Sequence, residues 1–149
     1  MAAYVGVKYV LDLEACLDYG ASGANRQKAL FEAAKTNRIA VTSDVLKQVK
    51  RFDAALALAI TKSDIEVIEC DDAVYETVEK LAQLLALTSA NLDEAAAEKL
   101  VVLAVVSCSQ NGAHPKCVLV TNDLGKHKSS MKTLCAGLKM DHIASKDAF

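Results

Sequence analysis

A chain of 149 residues that is 52% hydrophobic and 24% charged, with six glycines and one proline, is neither disordered nor of low complexity. Alanine accounts for 25 of the apolar residues, and the remainder, rich in Val and Leu, fills one core, so a single domain over 1–149 is expected. A net charge of −2 excludes a basic nucleic-acid coat, although residues 1–50 carry +2, 51–100 carry −7 and 101–149 carry +3.

The longest stretch free of Lys, Arg, Asp and Glu runs from Leu100 to Pro115. It contains Ser107, Ser109, Gln110, Asn111 and Gly112, too polar for a membrane span. No basic segment leads an apolar one at the N-terminus, so no signal peptide is expected. Five scattered cysteines without a Cys-x-x-Cys pair suit reduced thiols and a cytoplasmic location.

Taken in order, residues 4–11 read as a buried strand that stops at Asp12. Gly20, Ser22 and Gly23 mark a loop, and a helix follows from about Ala24 to Lys35. Ile39 to Thr42 is a second strand. Ser43 or Asp44 then caps a helix whose Val45, Val49, Phe52, Leu56 and Ile60 form one apolar stripe. Glu66 to Cys70 is a third strand, and Asp71 and Asp72 cap a helix with Val74, Val78, Leu81 and Leu85 on its buried face. Ser89 or Asn91, the latter with Glu94 three residues on, opens a helix running to about Ser107. After the break at Asn111-Gly112 and His114-Pro115 comes the most hydrophobic strand, Cys117 to Thr121, ending at Asn122-Asp123. A helix from about Lys126 to Leu138, stopped near Gly137, and a strand from Met140 to Ala144 complete the chain. Alternation of this kind predicts a three-layer α/β/α sandwich around a short, mainly parallel sheet.

Ligands of such sheets bind beyond the carboxyl ends of the strands, where Asp12 and Asp123 fall. Either could simply cap the structure that follows it. Further acids come from the helix near Asn91: Asp93, Glu94 and Glu98, the last on a face with Val101, Val102 and Val105. A carboxylate in line with an apolar stripe asks for a partner or a cation, whereas acids in a first turn also suit the helix dipole.

The chain resembles the PIN-domain ribonucleases, the group that includes the VapC-type toxins. The likeness rests on Tyr9-Val-Leu-Asp12, on Ile39-Ala-Val-Thr-Ser43 before a helix, and on an acid ahead of Leu100-Val-Val-Leu-Ala104. Val118-Leu-Val-Thr-Asn-Asp123 and a following helix with Gly137 complete it. The resemblance implies a few acids around Mg²⁺ or Mn²⁺, with Asp12, Glu98 and Asp123 as the catalytic set, Asp93 or Glu94 as alternatives to Glu98 for the helix acid, and Asp44 and Asp93 as further metal ligands. Gln48 stands near the point where the family usually has its second acid. Leu124, Gly125, Lys126 and His127 stand where a further one is expected.

Hard divalent cations prefer oxygen ligands, and a metal-bound water is a usable nucleophile, so clustered acids suit phosphodiester hydrolysis. Lys126, Lys128 and Lys132 would meet an RNA backbone, with Lys47, Lys50 and Arg51 as a second basic cluster. The expected function is a metal-dependent endoribonuclease, with a small antitoxin protein as partner if the chain is a toxin. Two alternatives stand beside it: a PIN-like RNA- or protein-binding module without a full acid set, and a small haloacid-dehalogenase-like phosphohydrolase. Zinc at Cys108, His114 and Cys117 lacks a fourth ligand. Surplus apolar surface on the 43–60 and 74–87 helices suggests a homodimer. Asp123→Asn is expected to remove activity at little cost in stability, because it relieves repulsion among acids.

Overall fold

The computed structural model describes residues 4–85, 94–110, 116–127 and 129–149, with 94–96 described by backbone alone. Five strands form one all-parallel sheet: β1 (Tyr9–Leu11), β2 (Ile39–Thr42), β3 (Glu66–Ile68), β4 (Val118–Thr121) and β5 (His142–Ala144). Among the described residues the helices are α1 (Leu13–Ala21), α2 (Ala24–Thr36), α3 (Ser43–Phe52), α4 (Ala54–Lys62), α5 (Asp72–Leu84), α6 (Glu94–Ser109), α7 (Met131–Leu138) and α8 (Ser145–Ala148). They cover the sheet in a PIN-like α/β/α fold. None of them is long and apolar enough to cross a membrane.

The strand order is β3-β2-β1-β4-β5. The chain builds outward from β1 to β3, then crosses back to lay β4 on the other side of β1. In such sheets the crevice between the two strands where the order reverses is where ligands bind. Tyr9 pairs with Val118, Val10 with Leu119 and Leu11 with Val120. Asp12 and Asp123 therefore leave the sheet from the two strands flanking that crevice. The buried Val10, Leu11, Ile39, Val41, Leu119 and Val120 hold the strand ends rigid between the helical layers.

Several elements differ from expectation. The first strand covers only 9–11, because Val7 N–H closes a turn on Tyr4 C=O at 3.1 Å and Gly6 takes φ 92°. Helix α1 fills the stretch after Asp12 to which no element was assigned and runs through Gly20, expected as loop: Asp12 caps it and Ala15, Cys16 and Tyr19 bury one face. Thr42, rather than Ser43 or Asp44, caps α3 by accepting Val45 N–H at 3.2 Å. The single stripe over 43–60 is two helices. Asp53 leaves helical geometry (φ −154°, ψ 86°), ends α3 and caps α4, which turns Phe52 out to 70% exposure. The third strand stops at Ile68, two residues early. The last long helix starts at Met131 rather than near Lys126, capped by Ser130, and ends at Leu138 as expected, on left-handed Lys139. Gly137 serves packing: a Cβ there would sit 2.9 Å from Leu85 Cδ2. Asp71 is the cap of α5, as expected. The expected caps Ser89 and Asn91 lie outside the described residues.

Candidate functional site

Asp12 is the one buried acid among the described residues, 3% exposed. Its Oδ1 accepts Ala15 N–H at 2.8 Å as the cap of α1, and its Oδ2 accepts the hydroxyl of Thr121. Burial pushes the carboxyl up to about 7. The two hydrogen bonds oppose that rise, and Glu14 and Asp123 nearby add to it.

Thr121, the last residue of β4, is itself fully buried and accepts Asp123 N–H at 2.9 Å. Asp123 is held further by Met131 N–H, which donates to its Oδ2 at 3.1 Å, so it doubles as an anchor for α7. The Lys99 ammonium lies 2.8 Å from the same Oδ2, and His127 Nε2 lies 3.7 Å from Oδ1. Lys99 also donates to Ser129 C=O at 2.7 Å, which fastens the loop between β4 and α7 to α6.

Asp12, Glu98 and Asp123 line one cavity of about 140 Å³, together with Glu14, Gln48, Lys99 and Met131 among others. Glu98 stands on its rim, exposed, and Gln48 Nε2 donates to its Oε2 at 2.8 Å. Exposure removes the desolvation penalty that the apolar stripe implied. Asp44 is also exposed and lines a neighbouring cavity of about 330 Å³ with Lys47, Arg51 and Glu98, not the one that holds Asp12 and Asp123. Asp93 and Lys128 lie outside the described residues, and Glu94 is described by backbone alone. Lys126, within the anchored loop, and Lys132, in the first turn of α7, are exposed.

Among the described residues no three His, Cys, Asp or Glu side chains stand close enough to hold one metal ion together. The expected three-acid convergence is therefore a shared cavity rather than a closed cage. Two carboxylates still fit a hard cation, because Mg²⁺ is commonly held by one or two carboxylates and keeps several waters. Asp12 and Asp123 supply that pair.

Sequence reasoning missed Thr121 as a clamp and Lys99 altogether. The Thr-Asn-Asp run carried the first signal. For Lys99 the sequence carries none, since its partner Asp123 belongs to a distant element. Cysteine chemistry has no support here: burial pushes the Cys117 and Cys135 thiols up to about 12, far from a reactive thiolate. His114 of the zinc set lies outside the described residues.

The parallel sheet and its 3-2-1-4-5 order define a PIN-like α/β/α fold. Two solved structures share the fold at a TM-score of 0.61, each aligned over 93% of this chain and 98% of the other. One is VapBC2 from Rickettsia felis bound to a DNA fragment from its promoter, at 17% identity; the other is DNA-bound VapBC from Salmonella typhimurium, at 13%. Identities this low bear on the fold alone. No protein-family model matches the sequence, and no curated protein matches it.

Proposed function

We propose that this chain is a PIN-type endoribonuclease that hydrolyses RNA phosphodiesters with one Mg²⁺ or Mn²⁺ ion held by Asp12 and Asp123. The observation that carries this reading is the pair of aspartates leaving β1 and β4 into one cavity at the reversal of strand order. When bound, the ion would supply Lewis-acid activation of the attacking water and screening of the phosphate charge. The chain's own residues do the rest. Ala15 N–H and the Thr121 hydroxyl fix the Asp12 carboxylate, and Met131 N–H fixes that of Asp123. Lys126 and Lys132 offer exposed charge to the RNA backbone. With few aromatic residues to stack on bases, binding rests on phosphates. Likeness to the VapBC complexes supports a small antitoxin protein as partner, and exposed Phe52, Leu58 and Leu84 support pairing of two copies through helical faces.

A second reading, an RNA- or protein-binding module without catalysis, is favoured by Lys99 on Asp123 and by Gln48 on Glu98. A phosphohydrolase attacking through Asp12 is disfavoured, because Glu14 rather than a second aspartate stands two residues on. The deciding experiment is cleavage of a fluorescent RNA with Mn²⁺ against EDTA, in wild type and in Asp12→Asn. Mn²⁺-dependent cleavage that the substitution removes supports the nuclease. RNA binding without cleavage in Mn²⁺ establishes the binding module.

A further inference from the structure

Lysine is ordinarily a solvated residue, and the lysines of α2, α3 and α4 are exposed here. Lys99 departs from that habit. Its side chain is 22% exposed and reaches into the cavity lined by Asp12, Glu14, Glu98 and Asp123. There it meets Asp123 Oδ2 at 2.8 Å and Ser129 C=O at 2.7 Å. The carboxylate it meets is 13% exposed, so solvent screens the pair only weakly. The ammonium is moored at both ends of the loop that joins β4 to α7, which makes it a fixed charge rather than a wandering one.

We propose that Lys99 is the resident cation of this cavity. Its ammonium takes the coordination space beside Asp123 that a second metal ion would use, and it limits the site to one divalent ion. This inference rests on the metal-dependent reading above. Two-metal sites place their ions about 3.5–4 Å apart on shared carboxylates. An ammonium in hydrogen-bond contact with Asp123 Oδ2 already supplies one of those charges, and it repels a second ion approaching the same oxygen. The shortage of acids fits this arrangement. Gln48 donates an N–H to Glu98 where a further carboxylate would be needed, and His127 faces Asp123 Oδ1. A cavity with one built-in positive charge needs fewer negative ones.

The test is Mn²⁺ binding to the intact protein, by calorimetry for stoichiometry and affinity and by electron paramagnetic resonance for coupled ion pairs. Wild type and Lys99→Arg, which keeps the charge, are expected to bind one ion. Lys99→Gln is expected to bind the first ion roughly tenfold more tightly, as one like-charge repulsion is lost, and to admit a second, coupled ion. Two ions in wild type, or a Lys99→Gln variant unchanged in both number and affinity, overturn the proposal while leaving a metal site standing. Binding by Lys99→Gln alone overturns the one-ion limit, since Lys99 then excludes the first ion as well, and removes the metal from the wild-type reading. No binding by any of the three overturns both. If Lys99→Gln does not give a native circular dichroism spectrum, the wild-type and Lys99→Arg stoichiometries decide.

Discussion

Thr121 donates its hydroxyl to the buried carboxylate of Asp12 and accepts the backbone N–H of Asp123 at 2.9 Å. One side chain thus ties the end of β1 to the residue just beyond β4. Thr121→Val keeps the shape but leaves a buried carboxylate oxygen and a backbone N–H unpaired. It is expected to destabilise the fold by about 2 kcal/mol. Thr121→Ser, which keeps the hydroxyl, should lose much less. Chemical denaturation of the two variants checks this, and equal losses would show that the hydroxyl is idle.

Asp12 makes stability depend on pH. Its carboxyl titrates near 3.8 in the unfolded chain and near 7 in the fold, because burial favours the neutral form. The folded state therefore holds a proton that the unfolded state releases. The associated stability is complete below pH about 4 and falls as pH rises toward about 7, by a few kcal/mol at about 1.4 kcal/mol per unit. Asp12→Asn should flatten that stretch of the profile and melt above wild type at pH 8 in EDTA. Added Mn²⁺ should restore wild type relative to the variant. A wild-type profile that is flat between pH 4 and 7 in EDTA would contradict the assignment.

Asp123→Asn does more than relieve repulsion with Asp12. The carboxylate is the partner of Lys99; an amide oxygen in the place of Oδ2 can still accept from Lys99 and Met131, but the opposite charge beside the ammonium is lost. We expect a loss of about 1 kcal/mol, because the acceptor is kept and only the charge pairing goes, together with loss of Mn²⁺-dependent cleavage. A variant as stable as wild type in thermal denaturation would show that the ion pair adds nothing.

What was legible in the sequence was local. Asp12 and Asp123 each end a short apolar run, and five strands spaced by helices define the layers without any knowledge of contacts. What was not legible depends on partners brought from elsewhere. Lys99 looks like any lysine on a helix until β4 delivers Asp123 to it. Asp53 looks like one polar residue in a stripe until its side chain accepts Leu56 N–H and starts a new helix. The Tyr4–Gly6 segment has strand-forming residues, but glycine's positive φ turns it out of the sheet.

RNA contact by the exposed lysines predicts a salt signature. In EDTA, Lys126→Ala and Lys132→Ala should each lower the slope of log binding constant against log salt by about 0.7 for single-stranded RNA. Titrations at several salt concentrations read this directly. An unchanged slope in the double variant would move the RNA path elsewhere, with Lys47 and Arg51 the next to test.

Pairing of copies predicts a mass. Phe52 and Leu84 are 70% and 73% exposed, and burying them against a second copy removes apolar surface from water. Light scattering at micromolar concentration should give about twice 15.9 kDa, and Phe52→Ser with Leu84→Ser should return it to the monomer value. A wild-type mass of 15.9 kDa at all concentrations rejects the dimer.

The pairing of β1 with β4 bears on when the cavity can exist at all. Its two aspartates come from opposite ends of the chain, and they meet only once the strand nearest one terminus has taken up its neighbour from near the other. Pairing at such sequence separation is slow to form and late to be rewarded. A chain emerging from the ribosome carries Asp12 from the start but has no cavity until β4 has docked. The same holds for a chain made as two separate pieces divided between the two strands: each carries one aspartate, neither has the cavity, and any activity should appear only when both are mixed and refold together.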